Sequence, residues 1–124
     1  MPRGPDVFKI EKSWKIEIIQ NEIDSNNLAL SNPDWFAPGE EEFLTEIRDN
    51  LVRWSDELEG RTSEKPTADD IDLRIESLDN IVLAFSQILE HEESLTKRER
   101  EDIKEDIVKL KIWKSELRKK KKNR

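Results

Sequence analysis

The stretch IDLRIESLDNIVLAFSQILE, residues 71–90, decides the fold. Its apolar residues Ile71, Ile75, Leu78, Val82, Phe85 and Leu89 recur at alternating spacings of four and three. At about 3.6 residues per turn, that spacing lines one face of an α-helix; a strand would alternate at two. Ile81 and Ile88 widen the stripe, so this helix can touch two neighbours and is expected at the centre of a bundle. The same rhythm holds on either side. Leu44, Ile47, Leu51, Trp54 and Leu58 form an earlier stripe. Ile103, Ile107, Leu110 and Leu117, with Trp113 beside the gap, form a later one. The chain therefore reads as all-α, a small antiparallel bundle of about four helices.

The breaks agree with the stripes. Pro33, Pro38 and Gly39 separate the first helix from the second, and Gly60 and Pro66 separate the second from the third. From Thr67 to Arg124 there is neither glycine nor proline. Glu40, Glu41 and Glu42 fall in the expected first turn of helix two, where carboxylates favour the positive end of the helix dipole. Thr67 with Asp70, and Thr96 with Glu99, are spaced for reciprocal capping. Only Glu92 to Thr96 join the last two helices, and so short a connection makes neighbours antiparallel.

The first segment carries two signals. Phe8, Ile10, Trp14, Ile16 and Ile18 alternate like a strand, whereas Ile16, Ile19 and Ile23 repeat like a helix. A lone strand has no ladder for its backbone groups in a helical chain, so a helix from about Ser13 to Asn26, capped by Ser13, is the preferred reading. Strands paired across a dimer are the alternative. One helical domain over residues 1–124 is expected, with an N-terminal arm at 1–12 and a frayed basic tail at 118–124.

Composition narrows the chemistry. Hydrophobic residues make up 34% and charged residues 41% of the 124 positions, the balance of long helices with hydrated outer faces. The net charge of −7 is unevenly spread: residues 40–93 carry seventeen acids against five bases, and residues 94–124 six acids against thirteen bases. No cysteine is present, which removes disulfides, thiolate metal sites and cysteine nucleophiles. Neither a membrane-length apolar run nor a secretory leader pattern is visible, so a cytoplasmic protein with no membrane association is expected.

Nothing in the residue pattern assembles a catalytic centre. The single histidine, His91, lies in Glu90-His91-Glu92-Glu93, but consecutive helical residues point in different directions. A di-iron bundle would need Glu-x-x-His, and position 88 is Ile88. All three glycines are isolated, so no phosphate loop exists. No enzyme activity, no metal and no cofactor is expected.

What remains are surfaces for partners. Val108 and Ile112 lie nearly opposite Ile103 on helix four and cannot share its core. Trp35 and Phe36 sit between Pro33 and Pro38, either closing one end of the bundle or anchoring a partner. These four residues suggest a non-enzymatic protein–protein interaction module that binds another protein or itself, with helices three and four supplying a homodimer interface. A second reading makes the acidic face, Glu40, Glu41, Glu42, Asp69, Asp70 and Asp72, a nucleic-acid mimic. It would occupy a basic partner's cleft, as in inhibitors of the antitoxin, immunity or anti-defence kind. A third lets the basic tail, Arg118, Lys119, Lys120, Lys121 and Lys122, bind phosphates. That tail lacks exposed aromatics and the rest of the chain would repel nucleic acid, so a solvated helix end is the preferred reading.

Overall fold

A computed structural model describes residues 10–122. It contains four α-helices: α1 (Lys12–Leu30), α2 (Glu40–Leu58), α3 (Ala68–His91) and α4 (Lys97–Lys122). A single 3-10 turn, Pro33–Trp35, lies between the first two. No strand occurs among the described residues, and the protein belongs to the all-α class of small antiparallel helical bundles. By packing, the described residues fall into two compact units, residues 11–73 and residues 74–122 together with Ile10. The boundary lies inside α3, whose first six residues belong to the earlier unit.

In the first unit, α2 turns back along α1, and Arg48 of α2 donates to the side-chain oxygen of Asn27 near the end of α1 at 3.3 Å. Ile18, Ile19, Ile23, Leu51, Trp54 and Ile71 are its buried apolar residues. The helical reading of the first segment holds: the isoleucines that alternate like a strand also satisfy a helical stripe, and no strand lies among the described residues to pair with them. The expected cap does not hold. Glu11, extended at φ −84° and ψ 148°, precedes the helix without a side-chain cap, and Ser13 lies inside the first turn. α1 also runs four residues beyond the expected end. Residues 1–9 of the expected arm, with Phe8, lie outside the described residues.

The stops of α2 follow from its glycines. Gly39 enters it at φ +96° and Gly60 leaves it at φ +78°, a region that favours glycine. After Glu59, the Gly60 N–H donates to the Glu57 carbonyl at 3.1 Å and the Arg61 N–H to the Asp56 carbonyl at 2.8 Å. This paired pattern is a Schellman closure. The Arg61 side chain then reaches Asp56 and Glu59 at 2.8 and 2.7 Å, and these contacts raise its pKa.

In the second unit, α3 and α4 form an antiparallel hairpin. Lys114 pairs with Asp79 at one end, and Arg100 bonds to the Leu89 and Glu92 carbonyls at the other. Leu78, Ile81, Leu110, Trp113 and Leu117 are buried at its base, beside buried Ser77 and Arg74. α4 is regular through Lys122 and so includes residues 118–122 of the expected basic tail; 123 and 124 lie outside the described residues.

Candidate interaction surfaces

Both capping boxes form. At α3, the Asp70 backbone N–H donates to the Thr67 hydroxyl at 3.1 Å and the Thr67 N–H to the Asp70 carboxylate at 3.0 Å. At α4, Glu99 and Thr96 make the same exchange at 3.1 and 2.9 Å. The Thr96 backbone and hydroxyl hold the Glu99 carboxyl below its ordinary pKa. Burial alone would push Asp70 up, but the Thr67 N–H, the Arg53 guanidinium at 3.1 Å and the Thr67 hydroxyl together bring it below its ordinary value.

These bonds change how the acidic face reads. Asp70 also accepts from Asn50, a buried residue of α2, at 3.3 Å, so its carboxylate is a structural part of the first unit. Glu40 accepts from the Ala37 N–H at 2.9 Å and closes the turn before α2. Glu41, Glu42, Asp69 and Asp72 are exposed. At least two of the six acids, Glu40 and Asp70, thus have local folding tasks. Their setting is strongly negative: residues 11–73 carry seventeen acids against six bases, a net −11.

Trp35 and Phe36 part company. The Trp35 ring is 62% exposed and does not close the end of the α1–α2 hairpin, whereas Phe36 is half-buried. Proline at the first position of the 3-10 turn fixes the backbone here and holds Trp35 at the surface. Leu28, near the end of α1, and Phe43, in the first turn of α2, are also exposed.

On α4 the inward face is Leu110, Trp113 and Leu117, each at most 5% exposed. Val108 and Ile112 lie on the far side of the same helix. Val108 is 37% exposed and Ile112 half-buried. Val108 forms one wall of a shallow, open depression with Glu101, Lys104 and Glu105. Lys109 lies 4.0 Å from Glu105 one turn away.

A surface that the stripes did not reveal lies at the hairpin's tip. No residue from Val82 through Lys109 is buried, although Val82, Phe85, Leu89, Ile103 and Ile107 continue the stripe of the base. Ile88 stands exposed beside it, in a second open depression with Ala84, Gln87, His91 and Glu92. The signal was present in the flanks: the tip joins an acidic helix end to a charged helix start.

His91 is exposed at the last position of α3. Among the described residues, no three histidine or acidic side chains converge as a metal-ligand group. No helix of the described residues is long and apolar enough to cross a membrane. Arg118 and Lys119 to Lys122 are all exposed along the last turns of α4. Comparison with models of known families, with curated proteins and with solved structures found no match.

Proposed function

We propose that this chain is a non-enzymatic protein-interaction module that self-associates through α3 and α4. The observation that carries the reading is the aliphatic pair Val108 and Ile112, set on the side of α4 turned away from Leu110, Trp113 and Leu117. Neither residue belongs to the buried core of α4, and two aliphatic side chains one turn apart on a highly charged face offer a small apolar surface for association. The half-covered stripe at the hairpin tip adds apolar area on the same two helices.

Sedimentation of the full chain, from about 1 µM to several hundred micromolar, tests the reading, because dissociation constants for small interfaces fall in that window. The expected result is a monomer–dimer equilibrium that Val108→Asp plus Ile112→Asp abolishes. A monomer at every concentration removes self-association.

The excess of eleven negative charges over residues 11–73 favours a second reading, an acidic inhibitor that fills a basic cleft. It predicts a salt-sensitive complex with a basic protein, weakened when Glu41, Glu42 and Asp69 are reversed to lysine. Those three are the positions to change, since reversing Glu40 or Asp70 would also break a cap. Recovery of no basic partner from low-salt capture removes this reading.

A further inference from the structure

We infer that two copies of this chain pair through the outer faces of their α4 helices, antiparallel about a two-fold axis, with Val108 of each copy against Ile112 of the other. The inference rests on the self-association proposed above and assigns it one surface and one orientation.

From Glu101 onward, beyond Lys97 at the helix start, the outer face of α4 reads Glu101, Glu105, Val108, Ile112, Ser115, Lys119. Successive members are spaced four, three, four, three and four residues apart, the 3.5-residue rhythm of a helix–helix seam. With the buried Leu110 taken as pointing inward, all six lie within about 40° of the opposite direction at 100° per residue. All are exposed except Ile112, which is half-buried. Past Lys97, the seam thus runs from acidic through aliphatic to basic.

Its members are placed symmetrically about position 110. Glu101 and Lys119 flank that point equally, as do Glu105 and Ser115, and Val108 and Ile112. An antiparallel pair of α4 helices therefore sets Glu101 against Lys119 of the second copy, twice, and Glu105 against Ser115. Both aliphatic layers come together at the centre. A parallel pair sets Glu101 on Glu101, Glu105 on Glu105 and Lys119 on Lys119, which repel. Charge on a seam chooses orientation more than it supplies affinity, and here it chooses one. The antiparallel arrangement is isologous, so it closes at two copies.

Only two aliphatic residues per copy fill the centre, which places the association among weak, reversible interfaces. The rest of the α3–α4 hairpin remains available to other partners in such a dimer.

The chain has no cysteine, so introduced thiols report orientation against a clean background. Chains carrying Glu105→Cys and chains carrying Ser115→Cys are mixed and oxidised gently, and the products are mapped by mass spectrometry. The expected product is the 105–115 disulfide between unlike chains, since facing seam positions meet disulfide reach. In parallel, Glu101→Lys and Lys119→Glu are each expected to raise the dimer dissociation constant roughly fivefold, as opposed charges become like ones. Combined in one chain, they should restore it to within about twofold.

Disulfides joining like chains, or a double reversal no better than the singles, overturn the seam. If the chain still dimerises in sedimentation while either result appears, self-association stands and only the assigned surface falls. A chain that stays monomeric throughout removes both.

Discussion

The base and the tip of the α3–α4 hairpin have the same residue pattern and a different environment. At the base, Leu78, Ile81, Leu110, Trp113 and Leu117 are buried; from Val82 to Lys109 the stripe continues and nothing along it is buried. Two helices packed against each other cover a seam between them and leave the flanks of each stripe in water. Apolar spacing therefore reports which way a side chain points. How deeply it sits varies along the hairpin. The tip is where this molecule has apolar area left over, and the low cost of disturbing it is measurable.

The largest difference should come from truncation. Leu110→Ala is expected to cost about 3 kcal/mol in urea-induced unfolding, because a fully buried leucine leaves a cavity that cannot collapse completely. Ile107→Ala, one turn earlier and only half-buried, should cost about 1 kcal/mol. Equal losses at the two sites would erase the contrast between base and tip. Amide hydrogen exchange checks it without mutation: amides in α3 after Val82 and in α4 before Lys109 should exchange through a lower-energy opening than those around Leu78 and Trp113.

The cap at the start of α4 comes next. Thr96→Ala removes the hydroxyl that accepts the Glu99 N–H and is expected to cost about 1 kcal/mol. Glu99 has its carboxyl pKa lowered in the fold, so its contribution is present above the ordinary carboxylate pKa and is lost as pH falls through the depressed value. The stability difference between wild type and Glu99→Gln should therefore shrink on acidification, which thermal melts across the acid range would read.

Glu22 of α1 should give the smallest effect, with the opposite sign. Burial raises its pKa above the ordinary 4.5, so its charged form is disfavoured in the fold. Its share of stability is complete at low pH and is lost as pH rises through the raised value. Glu22→Gln should raise the melting temperature slightly at neutral pH and leave it unchanged in acid. A loss at neutral pH would mean that the carboxylate makes a favourable contact in its surroundings.

Much of this was readable from residues alone. The glycines at 39 and 60, and the threonine-to-acid pairs at 67–70 and 96–99, act within a few positions of themselves, so local spacing suffices to find them. The failures share a cause. Ser13 has the right side chain for a cap, but the helix begins one residue before it, and Glu11 takes the position without a side-chain bond. Arg100 satisfies carbonyls at and just past the end of α3 from the first turn of the next helix, and no short-range pattern announces that. Asp70 was legible as a capping acid, but only tertiary structure sets Asn50 and Arg53 against it. Trp35 and Phe36, adjacent in sequence, differ in exposure as the chain leaves a 3-10 turn at Trp35 and becomes extended at Phe36. Val108 and Ile112 were recognisable as an outward pair, since angular position on a helix follows directly from numbering.

The connection from Glu92 to Thr96 is held from two sides. Arg100 grips the outgoing carbonyls of α3 at 3.0 and 2.9 Å, while Thr96 and Glu99 close the incoming end of α4. All of these partners lie within eleven residues of one another along the chain, so the turn can assemble before any distant part of the polypeptide has arrived. Contacts of such short range form early in folding. In stopped-flow experiments, Arg100→Met should slow refolding more than it accelerates unfolding, which would make this corner the seed from which the second half of the protein grows.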